Sequence, residues 1–161
     1  MPRIWLATTL CLVLLGCDKA LEISEFQPTE NGKWNREKGM VFSFSKMDTI
    51  GRHHMFINIR NDNSYPYNNL FLIAELAAPD GNITIDTLEY EMAKADGTWL
   101  GKGYGSVKEN KLWYKENIVF PSSGVYTVTI YQAMRRNGNV DGIEALEGIT
   151  DVGFEISKSN Q

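Results

Sequence analysis

The sequence is poor in the residues that most often carry chemistry. In 161 residues there are two cysteines and two histidines. Cys11 and Cys17 both lie at the start, so nothing after residue 17 can form a disulfide, act as a thiol nucleophile or hold a metal through sulfur. Any folded body must rest on its core alone. Basic charge is equally short. The formal net charge is −4, which argues against a nucleic-acid partner and against a polybasic membrane patch. No low-complexity tract and no internal repeat occurs. No apolar run reaches the roughly twenty residues that would cross a ~30 Å hydrocarbon core.

The longest apolar run is informative because it is short. Met1-Pro2-Arg3 places one positive side chain at the start, and residues 4–15 follow without a charge. Asp18 and Lys19 then end the run. A short basic start and an apolar stretch of about twelve residues is the layout of an export signal. The run closes on Leu14-Leu15-Gly16-Cys17, which resembles the lipobox of bacterial lipoproteins. That resemblance implies cleavage after Gly16 and a diacylglycerol on the Cys17 thiol. One acyl chain anchors marginally, whereas two or more anchor stably. The expected division is a signal peptide at 1–16, a lipidated N-terminus, tether and lead-in at 17–38, and a single domain at 39–161. Residues 18–24 read as the tether. Cleavage removes Arg3 and takes the side-chain charge to about −5.

The body reads as β-structure. Residues 40–45 and 54–60 alternate apolar and polar, the period of a half-buried strand. In the second run Met55, Ile57 and Ile59 share one face, with His54, Phe56, Asn58 and Arg60 on the other. Residues 70–78 are apolar on both faces apart from Glu75, as in a central strand. Pro79 ends that run, and Asp80-Gly81 predicts a hairpin into residues 83–85. Further strands are expected at 111–120, 125–134 and 151–156. Residues 89–94 suit a strand or a helical turn, and residues 143–146 suit one helical turn. Helical crossovers of a dozen residues are missing. The expected fold is therefore all-β, an antiparallel sandwich (Ig-like or jelly-roll-like) of about seven or eight strands behind a signal-peptide helix.

Candidate chemistry is thin. His53-His54 is the only histidine pair, and adjacent residues on a strand point to opposite faces, which is unsuited to one metal ion. The run Gly101-Lys102-Gly103-Tyr104-Gly105-Ser106 fits neither glycine-rich phosphate-binding pattern, and no clear helix follows it. It reads better as a strand connection. The acids are scattered, and Ser106, Ser122 and Ser123 lack a nucleophile-elbow setting. No enzyme activity, catalytic residue, cofactor or metal is expected. Aromatics are the richer resource: Trp99, Tyr104, Trp113, Tyr114, Phe120, Tyr126 and Tyr131 crowd the second half. Most should be core, and any exposed subset would offer a surface for a glycan or peptide.

Several stretches together resemble the gliding-motility lipoprotein H (GldH) family. They are Phe-Ile-Asn-Ile-Arg-Asn at 56–61, Tyr-Pro-Tyr-Asn-Asn-Leu-Phe-Leu at 65–72 and Asp-Thr-Leu-Glu-Tyr at 86–90. Gly-Thr-Trp-Leu-Gly-Lys-Gly at 97–103, Tyr-Lys-Glu-Asn at 114–117, Gly-Val-Tyr-Thr at 124–127 and Leu-Glu-Gly-Ile-Thr-Asp-Val-Gly at 146–153 continue the series. The resemblance implies a part in the gliding machinery of Bacteroidota and the associated type IX secretion system, although members also occur in non-gliding cells. It implies other envelope proteins as partners and carries no catalytic residue onto this chain. The expected site is the outer membrane, on the periplasmic leaflet in preference to the cell surface. Cys17, as lipid-attachment residue, is the one functional position assigned.

Overall fold

Residues 20–46, 48–103 and 105–159 are described by the computed structural model. They form ten strands: β1 (Leu21–Pro28), β2 (Lys33–Asn35), β3 (Met40–Lys46), β4 (Arg52–Asn61), β5 (Asn69–Ala77), β6 (Ile83–Glu91), β7 (Lys108–Val119), β8 (Gly124–Gln132), β9 (Ala145–Glu147) and β10 (Ile149–Lys158). No helix occurs among the described residues. Two four-stranded antiparallel sheets, ordered β1-β10-β4-β7 and β3-β8-β5-β6, carry most of the chain, and β2 pairs with β9 in a short ribbon.

Alternation decides what each sheet buries. Met55, Ile57 and Ile59 of β4 lie beside Ile156, Phe154 and Val152 of β10, all fully buried. Phe42 and Phe44 of β3, Tyr126, Val128 and Ile130 of β8, and Leu70, Leu72 and Ala74 of β5 form the facing layer. The layers meet directly: the Phe154 ring lies 5.9 Å from Phe42 and 5.8 Å from Phe44. Each large side chain buried this way contributes about 1.5–3 kcal/mol. The expected sandwich is what forms. The ribbon closes one end of it, with Trp34 and Leu146 opposite each other and both inaccessible.

The open sides are closed by side chains that cap edge-strand carbonyls. Gln27 Nε2 of β1 donates to Val41 O of β3 at 2.6 Å. On the other side Tyr90 Oη of β6 donates to Trp113 O of β7 at 2.6 Å, and Asp86 receives Tyr114 Oη at 3.1 Å and Lys115 Nζ at 2.7 Å. Unpaired edges invite other chains, and these contacts blunt them. Burial and the charge of Asp86 push the Tyr90 phenol up to about 12.

The count of strands exceeds the seven or eight expected, for identifiable reasons. β2 and β9 are three residues each, too short to show a period. β9 also starts within the run 143–146, where one helical turn was expected. β1 takes up residues 21–24, expected in the tether: its neighbour β10 supplies the ladder that its own mixed sequence does not announce. Residues 89–91 are the end of β6, not a helical turn. The expected signal-peptide helix and Cys17 lie outside the described residues.

Candidate functional site

Antiparallel pairing gathers specific ends at one pole. The starts of β1, β4 and β8 and the ends of β3, β7 and β10 all meet there. The backbone N–H of Lys158 donates to Ala20 O at 2.7 Å and that of Ser159 to Arg52 O at 2.9 Å. This is the pole at which the chain arrives from Cys17.

A buried polar group locks it. Lys46 continues the inward parity of Met40, Phe42 and Phe44, and His53 that of Met55, Ile57 and Ile59. Both therefore project into the sandwich, from opposite sheets. Lys46 Nζ pairs with the Glu22 carboxylate of β1 and lies 2.8 Å from His53 Nε2, which is itself 3.2 Å from Glu22 Oε2. Phe120 borders the group, 5.4 Å from both the His53 ring and Lys46 Nζ. Burial alone would raise the Glu22 pKa. The hydrogen bond and charge of Lys46, helped by His53 and Lys158, outweigh it and hold the carboxyl below the usual glutamate range. His53 is fully buried and its Nδ1 has no partner among the described residues. A lysine, a histidine and a glutamate in contact invite a catalytic reading, but Lys46 and His53 are buried and only Glu22 is partly exposed. They tie β1 to both sheets.

The outer face of the β1-β10-β4-β7 sheet carries the second feature. His54, Phe56, Asn58 and Arg60 point outward from β4, opposite in parity to His53. The Trp113 ring of β7 sits 4.4 Å from Phe56, and His54 meets it edge-on at 5.1 Å. Trp113 remains 53% exposed. Lys111 Nζ lies 4.2 Å over the Phe56 ring and bonds Glu155 Oε1 at 2.5 Å. A recess of about 360 Å³ adjoins this group, lined by His54, Lys111, Glu116, Asn117, Glu155 and Lys158 among others. The other aromatics follow the core expectation in most cases: Tyr114, Phe120 and Tyr126 are buried, whereas Trp99 and Tyr131 are half-buried. Tyr104 lies outside the described residues.

The remaining sequence candidates do not converge. Among the described residues no three His, Cys, Asp or Glu side chains come together as a metal site. The glycine run at 101–105 is a connection into β7. Gly103 adopts φ +144°, and a Cβ there would meet Val107 O at 2.8 Å, so the residue serves backbone approach. A recess of about 720 Å³ beside it is walled by Arg60, Glu91, Lys102 and Glu109, of which Arg60 and Glu109 neutralise each other at 2.8 Å.

The sequence profile of the GldH lipoprotein family matches residues 22–156. The chain belongs to the GldH lipoprotein family. Two curated relatives agree. The gliding motility lipoprotein GldH homolog of Christiangramia forsetii is 50% identical over 149 residues, covering 92% of this chain and 91% of the relative. The gliding motility lipoprotein GldH of Flavobacterium johnsoniae is 42% identical, covering 92% of each. Among solved structures, the VP2 subviral particle of infectious bursal disease virus aligns with 98% of this chain and 37% of its own, at 13% identity and a TM-score of 0.37. That likeness is too slight to carry weight. The GldH match thus spans nearly all of both sheets, and the locked pole and the Trp113 face are features of a GldH-family domain.

Proposed function

We propose that this GldH-family chain is a membrane-anchored lipoprotein of the cell envelope, held by lipid on Cys17. In this reading it acts without catalysis, as a structural or assembly component of the gliding-motility apparatus and the type IX secretion machinery associated with it. The observation that carries the reading is the family match across residues 22–156, preceded in the sequence by the signal and Leu14-Leu15-Gly16-Cys17. The geometry is consistent: in the Lys46–His53–Glu22 group the lysine and histidine are buried and only the glutamate reaches the surface, so the group serves to tie strands together. Its place would be the outer membrane, on the periplasmic leaflet, with other envelope proteins as partners. Cys17→Ser should abolish acylation and stable membrane association. Deletion of the gene should impair gliding, secretion or envelope assembly, and a deletion that left all three intact would contradict the assembly role.

The exposure of Trp113 favours a second reading, a glycan- or peptide-binding envelope lipoprotein. A half-exposed indole fixed by Phe56 and His54 beside polar groups is the kind of platform such ligands stack on. Titrating envelope glycans or peptides against the parent chain and Trp113→Ala, with indole fluorescence as readout, tests it. Unchanged fluorescence throughout would remove it.

A further inference from the structure

The pole that receives the anchor has a surface of its own. Ile50 in the β3–β4 turn is 86% exposed. Leu21 at the start of β1, Val119 at the end of β7 and Val125 at the start of β8 are also exposed at this pole, spread around its rim on the outer faces of the two sheets. Three residues separate Cys17 from Leu21 in the sequence. A fully extended chain gains at most ~3.6 Å per residue, so Ala20 can lie no more than about 11 Å from Cys17. The headgroup layer on one side of a bilayer is itself roughly 5–8 Å deep. The ladder begins at once with Leu21 opposite Ser157, and Glu22 is pinned to Lys46. No slack is left for the domain to stand away.

Resting on the reading of Cys17 as the lipid site, we propose that this pole lies on the phospholipid surface itself, with Ile50, Leu21, Val119 and Val125 in the interfacial zone. The occupant of the apolar rim is the bilayer on which the domain is anchored. Among the described residues the pole has no excess of basic charge: Lys46, Arg52 and Lys158 stand against Glu22, Asp48, Asp80 and Glu116. The contact is therefore made through apolar side chains and the short leash, and does not depend on anionic lipid. The ten-residue β4 then rises about 33 Å from the surface and lifts the opposite pole clear of the headgroups.

Val140, 87% exposed beyond β8, supplies a control of matched exposure at that far pole. The test uses the full, processed lipoprotein in vesicles of phosphatidylcholine and phosphatidylethanolamine. In the parent protein, removal of Cys11 and acylation of Cys17 leave no thiol, so Ile50→Cys and Val140→Cys each introduce a single one. Each is labelled with a fluorophore and quenched by headgroup spin-labelled lipid. We expect quenching at position 50 at least threefold stronger than at 140, unchanged between ~0.05 and ~0.5 M salt, over which screening lengths shorten severalfold. Equal quenching at both positions, with the protein still floating with the vesicles, would overturn the surface contact and leave the lipid anchor standing. Labelling of the parent chain, or loss of flotation, would overturn both.

Discussion

Glu22→Gln should be far more damaging than Lys46→Met, although the two substitutions break the same pair. The Lys46 side chain is only 7% exposed, and its ammonium faces Glu22 and His53. Neutralising Glu22 strands that charge in the interior. Breaking a buried pair from one side costs about 3–5 kcal/mol, and the lower figure applies here because the new amide still accepts a hydrogen bond. In Lys46→Met the charge left behind is Glu22, whose side chain is 23% exposed and lies 3.6 Å from Lys158. It can turn to water, so the expected cost is about 1 kcal/mol. The difference of about 2 kcal/mol is a roughly thirtyfold change in the folded-to-unfolded ratio and several degrees in Tm. Urea titrations of both variants at neutral pH measure it. The folded-state pKa of Glu22 is depressed, so the stability it contributes is present above its unfolded value and is lost as pH falls through the folded one. The gap between wild type and Glu22→Gln should therefore be full at neutral pH and should shrink once pH drops below the ordinary glutamate range of about 4.3. Equal costs for the two variants, or a gap that persists in acid, would refute the reasoning.

Gly148 and Gly81 share nearly the same φ, +84° and +85°, but a Cβ on Gly148 would sit 2.2 Å from Tyr65 N whereas Gly81 faces open space. Gly81→Ala should cost about 1–2 kcal/mol and Gly148→Ala at least about twice that, read by urea titration or by loss of soluble yield. Trp113→Ala should lower stability by only about 1 kcal/mol while leaving the β-sheet circular dichroism intact, because the ring caps a surface pair. The Tyr90 phenol, pushed up to about 12, should ionise late in an ultraviolet titration. Its raised folded-state value means that the stability it contributes is present below the ordinary tyrosine value of ~10 and is lost as pH rises from there to about 12. Tyr90→Phe should lessen the alkaline loss, the remainder staying with Tyr65 and Tyr114, whose phenols burial also raises.

The sheets were legible where one face is buried, because burial imposes a period of two. The run 40–45 and the Met55-Ile57-Ile59 face both form strands with the alternation read from the sequence. The same parity held a further signal: Lys46 and His53 continue the inward faces of their strands, so the period alone marks both side chains as buried. Their meeting with Glu22 was not legible, since it joins three strands through pairings that sequence distance does not reveal. β1, β2 and β9 were missed because their partners, and not their own patterns, make them strands. Alternation set Trp113 and Val119 on the face opposite Leu112, Tyr114 and Ile118, but did not say which aromatics would stay exposed. The exposure of Trp113 follows from the register of β7 against β4, with Phe56 opposite.

The lipoprotein reading is tested most directly by the intact mass of the protein extracted from membranes. It should correspond to a chain beginning at Cys17 and carrying a diacylglyceryl group, with any further acyl chain on the new amine. A mass that retains residues 1–16, or one that shows Cys17 unmodified, would contradict that reading and with it the placement of the anchor pole on the bilayer.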